Sequence, residues 1–152
     1  MPTSATHEFI VSLHANGAAT VSAPPRPVIV TGPPPEFGGD PETWSPEHLL
    51  LAAVSGCLWS TFRALAARKG LAVRGLNCMT TGTVGKTASG LAFTGIRIAV
   101  EVDVAAQDTE RAHALLAEAE RRCIVSNSLE VPVVVQSVVA IVPAGPPMQQ
   151  TA

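Results

Sequence analysis

Two cysteines, Cys57 and Cys123, are the residues of this sequence whose types and placement best suit chemistry. They lie too far apart in the chain to form the CxxC pair that chelates a metal ion. A fold that brings both sulfur atoms to one place would instead make them the attacking and resolving thiols of a redox site. Plainer interpretations stay open: Cys57, beside Gly56, fits a small residue that fills a helical core, and Cys78 fits a packing residue on a strand.

Outside this pair, the sequence predicts neither a metal site nor a cofactor site. His7, His14 and His113 have no ligand spacing with one another or with the cysteines. The net charge is −2, and the ten lysines and arginines are scattered along the chain. Because they form no basic stripe, nucleic acid and an anionic membrane surface are not expected as partners.

Length and composition predict one compact domain. The 152 residues, with 47% hydrophobic content, suffice for one packed core and are too few for two ordinary domains. No stretch approaches the ~18 consecutive apolar residues of a membrane span, and the start of the chain does not resemble a secretion signal. We therefore expect a cytoplasmic protein. In that reducing compartment, an odd count of three cysteines favours free or redox-active thiols.

The elements that must position the two thiols begin with short strands and a long helix. Strands are expected over 7–15, 18–23 and 28–31, followed by a proline-rich and glycine-rich loop. Ser45 can cap a helix that runs over 46–69 and contains Cys57. Because the middle of this helix is apolar almost all round, we expect it to be buried by a sheet and by a second subunit.

The rest of the chain predicts a hairpin, a shorter helix and a last strand. The hairpin covers 71–84 and 91–104, the helix over 108–122 directs Cys123 inward, and the strand covers 131–142. A flexible tail over 143–152 follows a single domain over 1–142. The predicted fold class is α+β, in which the long helix lies on an antiparallel sheet and the shorter helix supplies the second thiol.

Both cysteines lie within motifs that resemble those of a known family. The long helix carries P-E-x-L-L-L-A-A-x-x-x-C, which ends at Cys57, and C-x-x-S-N-S-L, which begins at Cys123, precedes the last strand. Together they are similar to motifs of the osmotically inducible and organic hydroperoxide resistance (OsmC/Ohr) family. The resemblance implies that family's fold, a tightly intertwined homodimer, and a thiol peroxidase for organic hydroperoxides whose sites form where the subunits meet.

The chemistry that the resemblance implies needs both thiols. A Cys57 thiolate would attack the terminal oxygen of a hydroperoxide, release the alcohol and become a sulfenic acid. Cys123 would then condense with that sulfenic acid to form a disulfide. A dithiol must reopen this bond, and lipoyl-bearing proteins are the donors that the family favours. Disulfide formation needs the two Cα atoms within ~7 Å, or local unwinding near Cys123 that brings them together.

Glu47 occupies the position of the family's active-site glutamate. Ten residues at ~1.5 Å rise put it ~15 Å from Cys57 along a straight helix, so the two cannot touch within one chain. If Glu47 acts at a Cys57 site, it must therefore belong to a partner subunit. The alternative is that Glu47 merely complements the dipole at the start of the helix.

The family also uses an arginine that orients this glutamate and lowers the pKa of the attacking thiol. Arg26 is the only arginine before Cys57, and it matches neither place where the family carries one. It is the candidate cation if a loop brings it to the site. Without a cation, burial in apolar surroundings should raise the pKa of Cys57 and slow its reactions. The residue after the resolving cysteine, often proline in the family, is Ile124.

The chain contains no tyrosine, so other large residues must form the walls of a substrate pocket. The candidates are Phe37, Trp44, Leu58, Trp59, Phe62 and Met79. Apolar walls would suit lipid or aromatic hydroperoxides. Besides the peroxidase, a second function stays open: a catalytically weak dimer of the same fold that binds an apolar small molecule or senses oxidants. A thioesterase with a long helix on an antiparallel sheet is a third, although it gives no reason for two cysteines in these places.

Overall fold

The computed structural model describes residues 6–143, 145–146 and 148. They form two compact units, Met1–Leu49 and Leu50–Ala152, where the sequence predicts one domain over 1–142.

The first unit contains a small antiparallel sheet. Strands β1 (Ser12–Asn16), β2 (Ala18–Ser22) and β3 (Ile29–Thr31) pair in that order. Gly17 turns the first hairpin with φ of 87°, a left-handed conformation that favours glycine. This confirms the turn predicted at Asn16-Gly17, while β1 is shorter than the predicted strand over 7–15.

Helix α1 (Pro46–Arg68) begins in the first unit and continues through the second. Ser45 caps it, because its Oγ accepts a hydrogen bond of 3.2 Å from the N–H of His48. Beyond Leu50, one face of the helix is buried through Val54, Leu58, Phe62, Leu65 and Ala66. By length and hydropathy alone α1 could cross a membrane, a test that the core helix of a soluble protein also passes, and 28% of its most apolar stretch is buried.

The second unit contains a three-stranded mixed sheet. Strands β4 (Gly75–Thr87) and β5 (Gly90–Val104) form the predicted antiparallel hairpin. Helices α2 (Thr109–Arg122) and α3 (Ile124–Asn127) follow, and β6 (Val133–Ile141) then pairs with β5 in parallel. The prediction of antiparallel sheets does not hold for β6, since a helical crossover returns the chain in the direction of β5.

The core of the second unit lies between this sheet and the helices. On β5, alternate residues from Ile96 to Val104 are buried and face the apolar residues of α1 and α2. Gly82 on β4 is packed closely: a Cβ there would lie 2.5 Å from the ring of Phe93 and 2.9 Å from Leu51 of α1. The helix therefore sits directly on the sheet at this point.

The described part of the predicted tail is attached to the start of β4. The N–H of Met148 donates a 3.1 Å hydrogen bond to the carbonyl of Val73. Arg74 donates to the carbonyl of Gly145. The rest of the tail, residues 144, 147 and 149–152, lies outside the described residues, and the flexibility of the segment stays a prediction.

Candidate functional site

The site lies where the middle of α1 meets the break between α2 and α3. Cys57 is half-buried on α1, and Cys123 is buried with 1% of its surface exposed. At Cys123 the backbone leaves the helical conformation, with φ of −68° and ψ of 108°, and so separates α2 from α3. Both cysteines are free thiols. Both belong to the second unit, and the structure brings their side chains into hydrogen-bonding contact.

Burial and hydrogen bonding act on Cys57 in opposite directions. Desolvation raises the pKa of its thiol, but hydrogen bonds from the backbone of Val125, the thiol of Cys123 and the backbone of Ile124 lower it more. The hydroxyl of Thr61, one helical turn further along α1, contributes a further lowering bond. The net effect is a pKa below the ordinary 9.0, which favours the thiolate.

The pKa of Cys123 shifts in the opposite direction. Desolvation by burial raises the pKa of its thiol, and the hydrogen bond and charge of Cys57 raise it further. Ser126 opposes this in part, because its hydroxyl donates a 3.3 Å hydrogen bond to the Cys123 sulfur. The pair therefore divides into a thiol that ionises readily and a neighbouring thiol that holds its proton and donates it to the first.

This arrangement corrects the expectation that Cys57, without a cation, has a raised pKa. Backbone N–H groups at the start of α3 stabilise the thiolate instead. Of the side chains that donate to the two thiols, Thr61 and Ser126 had a visible signal in the sequence, since Thr61 follows Cys57 by four residues and Ser126, which donates to Cys123, follows it by three. The N–H groups had no such signal, because every residue except proline carries an N–H. Only the interruption of the helix at Cys123 directs these N–H groups at Cys57.

The other predicted polar residues lie in the first unit. Arg26 is exposed and donates a 3.4 Å hydrogen bond to the carbonyl of Ala23 in its own turn. Glu47 is half-buried at the start of α1, and its Oε2 is buried without a hydrogen-bond partner among the described residues. Their predicted roles beside Cys57 stay predictions.

Four of the six predicted wall residues lie in the second unit, and they do not form one surface there. In the second unit, Leu58 and Phe62 are core residues with 2% and 0% exposure, and Trp59 is half-buried against the same core. Because Phe62 is fully packed, it cannot line an open pocket in this chain. Phe37 and Trp44, in the first unit, are about half exposed.

Met79 lies on the outer face of the second sheet. It pairs with Ala99 of β5, whose neighbours Ile98 and Val100 point inward to the core. Directly paired strand residues share a face, so Met79 points away from Leu58. The prediction that Met79 and Leu58 line one pocket is therefore wrong within the chain.

No cluster of three or more histidine, cysteine or acidic side chains suited to a metal ion occurs within the described part of the chain. The chemistry of this site is that of the paired thiols. A thiolate that is stabilised by N–H donors and lies in contact with a second thiol can be oxidised and then closed into a disulfide.

Known structures share this fold. An OsmC-like protein of unknown function from Vibrio cholerae aligns with a TM-score of 0.79 at 19% identity, over 88% of this chain and all of its own. An organic hydroperoxide resistance protein OsmC from Legionella pneumophila aligns with a TM-score of 0.68 at 22% identity, over 90% and 99% of the two chains. The organic hydroperoxide resistance protein OhrB of Bacillus subtilis aligns with a TM-score of 0.63 at 17% identity, over 88% and 98%.

These likenesses confirm the predicted α+β fold with its long helix. No curated protein matches the chain. The sequence model of one family, described as OsmC-like protein, matches residues 39–138, which include Glu47 and both site cysteines. As the two cysteine motifs predict, the chain belongs to the OsmC-like protein family.

Proposed function

We propose that the protein is a thiol peroxidase that reduces organic hydroperoxides. The observation that carries this proposal is the contact between Cys57, whose pKa is lowered, and Cys123, whose pKa is raised. Peroxide reduction needs a thiolate that attacks and a second thiol that resolves the product. The names of the Legionella and Bacillus structures, organic hydroperoxide resistance proteins, support the same substrate class.

The proposed cycle assigns one role to each thiol. The Cys57 thiolate attacks the terminal oxygen of ROOH, the O–O bond breaks, and the alcohol leaves with a proton. The Cys57 sulfenic acid then accepts attack by the sulfur of Cys123, which expels water and leaves a disulfide. A dithiol, of which a lipoyl protein is one candidate, returns two electrons and regenerates both thiols.

The proposal includes a homodimer. Outward-facing residues of α1 are small or apolar and exposed in the single chain, among them Ala52, Ala53 and Gly56. A second subunit would bury this face. It would also bring its Glu47 toward Cys57, which Glu47 of the same chain cannot reach along the helix. Among the described residues, the buried Oε2 of Glu47 has no hydrogen-bond partner. This supports a role as a hydrogen-bond acceptor in the dimer, and Arg26 is the candidate donor.

The alternative of a catalytically weak binder or sensor depended on the lack of a cation beside Cys57. The N–H donors of Ile124 and Val125 stabilise the Cys57 thiolate, as the missing cation would have done. The structure therefore favours turnover over a purely binding role.

The test is consumption of cumene hydroperoxide with a dithiol reductant. We expect Cys57→Ser to abolish it, and Cys78→Ser, which removes the exposed thiol of β4, to leave it unchanged. Cys123→Ser should allow one turnover and then accumulate over-oxidised Cys57. Equal rates in the wild type and Cys57→Ser would overturn the proposal.

A further inference from the structure

A cavity in the second unit lies beside Cys123. Its volume is about 530 Å³, and it is lined by Cys123 but not by Cys57. Its apolar lining includes Leu58 of α1, Ile98 of β5 and Val135 of β6. The redox pair therefore borders this cavity through Cys123 and not through Cys57.

The size and lining of this cavity suit a small aliphatic ligand. Binding cavities for small molecules usually measure ~300–1,000 Å³ and combine apolar walls with a few polar groups. The polar groups here include the uncharged Ser126 and Asn127 and three charged residues, of which Glu120 and Glu130 are acidic and Arg121 is basic. Because only 1% of the surface of Cys123 is exposed, a slender unbranched chain is the shape that could reach its sulfur.

We propose that this cavity admits the reductant, a neutral aliphatic dithiol, which attacks the Sγ of Cys123 in the Cys57–Cys123 disulfide. The inference rests on the proposed peroxidase cycle and assigns the entry route and the sulfur that is attacked. The peroxide reacts at Cys57, so oxidant and reductant reach the pair through different sulfur atoms.

Reduction of the disulfide takes two successive thiol–disulfide exchanges. A reductant thiolate forms a bond to Cys123 Sγ, the S–S bond breaks, and Cys57 leaves as a thiolate. The second thiolate of the dithiol attacks the reductant's own sulfur in the mixed disulfide and releases Cys123, which takes up a proton. The dithiol ends as a cyclic disulfide, and two electrons have passed to the protein.

The asymmetry of the pair supports this direction. A thiol with a lower pKa leaves faster in disulfide exchange. The N–H donors of Ile124 and Val125 that stabilise the Cys57 thiolate make it the better leaving group, whereas burial raises the pKa of Cys123. Attack at Cys123 therefore expels the better leaving group.

The charges at the cavity determine which thiols enter. Two carboxylates against one guanidinium leave the lining net negative. In its reactive thiolate form glutathione carries one more negative charge than the thiolate of a dithiol that is otherwise uncharged, so glutathione should be repelled more strongly. We expect dithiothreitol and dihydrolipoamide to reduce the disulfide faster than glutathione does, after each rate is corrected for its thiolate fraction.

The first experiment identifies the attacked sulfur. The disulfide is formed in the Cys78→Ser protein with diamide, which oxidises the two thiols without any peroxide chemistry. The oxidised protein is mixed briefly with 2-mercaptoethanol and quenched with excess iodoacetamide, and the peptides are analysed by mass spectrometry. We expect mercaptoethanol on Cys123 and the alkyl group on Cys57; the reverse distribution would overturn the proposal.

The second experiment narrows the cavity. Val133 lines it, and its side chain shares the inner face with Ile96, whereas the next residue, Val134, faces outward and is 52% exposed. We expect Val133→Phe to slow reduction of the disulfide by dithiothreitol about tenfold, since the reductant can no longer align with the sulfur. Val134→Phe is the matched control and should leave the rate unchanged. Equal rates in the two variants would contradict the proposal.

A second pair of variants changes two exposed arginines outside the core. Arg121 lines the cavity, whereas the adjacent Arg122 forms a 2.8 Å ion pair with Glu118. Because the reductant arrives as a thiolate, Arg121→Gln should slow reduction about threefold and Arg122→Gln should have little effect. Equal effects would count against entry at this cavity. Since diamide makes the disulfide in every case, these results are independent of whether hydroperoxides are the substrate.

Discussion

At Cys57, backbone N–H groups of α3 provide the thiolate stabilisation that a charged side chain would otherwise provide. Desolvation alone would raise the pKa of this thiol, but the hydrogen bonds from Val125, Cys123 and Ile124 together outweigh it. Hydrogen bonds to a charged acceptor are stronger than those between neutral groups, so the thiolate gains more from them than the thiol does. The reactive state of the residue therefore depends on where α3 begins.

The first prediction concerns pH. Thiolate forms above the pKa, so the rate at which iodoacetamide alkylates Cys57 should rise with pH and level off, with its midpoint below the ordinary 9.0. Removal of the side-chain donor in Cys123→Ala should move this midpoint upward. The rates can be measured by mass spectrometry in the Cys78→Ser background. A midpoint at or above 9.0 would contradict the assignment.

The second prediction concerns Ser126, whose hydroxyl donates to Cys123. In Ser126→Ala the Cys123 thiolate loses a hydrogen bond, so closure of the disulfide should slow about tenfold, which corresponds to ~1.4 kcal/mol. Over-oxidised Cys57 should accumulate, and mass spectrometry of peroxide-treated protein would detect it. Ser128→Ala is the control, because Ser128 donates to the carbonyl of Ile124 and not to a sulfur. Equal over-oxidation in both variants would refute this role.

At the scale of the element, the short helix α3 orients the donors. Cys123 has an extended conformation, and the chain then turns for four residues before β6. This conformation of Cys123 is also one that a residue before proline adopts, and proline is tolerated at the first position of a helix. The side chain of Ile124 is 76% exposed, so substitution there should cost little packing.

The third prediction uses this tolerance. Ile124→Pro removes one backbone N–H beside Cys57, while Ile124→Ala removes only side-chain atoms and keeps the donor. We expect both variants to fold with similar stability, and only Ile124→Pro to raise the pKa of Cys57, as measured by pH-dependent alkylation. If both variants gave the same pKa as the wild type, the backbone donor at this position would have no role.

The elements themselves were largely predictable from sequence. The cap at Ser45, the turn at Gly17 and the alternation along β5 all follow local rules, and the structure confirms each of them. The parallel pairing of β6 was not predicted, because its pattern of valines suits either direction. The outward position of Met79 depends on the register between β4 and β5, which the sequence of β4 alone does not set.

The sequence identified the candidate residues of the site but not the hydrogen bonds that surround them. The motifs singled out Cys57 and Cys123, and the fold places the two thiols close enough to interact. The predicted direction of the pKa shift of Cys57 was wrong. It rested on charged side chains alone, and the sequence does not show which N–H groups an interrupted helix directs at the sulfur. A backbone donor is present at almost every residue, so only three-dimensional structure shows which ones point at the sulfur.

At the scale of the whole molecule, the proposed homodimer explains the exposed face of α1. Only 28% of the most apolar stretch of this helix is buried within one chain. Small residues such as Ala53 and Gly56 would let a partner's backbone approach closely. A partner here would also complete the site with its own Glu47, so activity and assembly should be lost together.

The fourth prediction tests that link. Light scattering should give a mass about twice the 15.7 kDa of the chain. Ala53→Leu places a larger side chain on the exposed face of α1 and should weaken the dimer and lower peroxidase activity in parallel. Ala117→Leu makes the same change on an exposed position of α2 and should affect neither. A wild-type mass near that of a single chain would refute the dimer.

Gly82 on β4 lies close to the helix that carries Cys57. Gly82 has no side chain, so the ring of Phe93 and the end of the Leu51 side chain lie close to its backbone, and Leu51 belongs to the same helix as Cys57. An alanine here would have to displace the ring of Phe93 and the end of the Leu51 side chain, both of which pack against the core. Because Leu51 belongs to the helix that carries the sulfur, we expect Gly82→Ala to change the alkylation rate of Cys57 without any contact between the two residues.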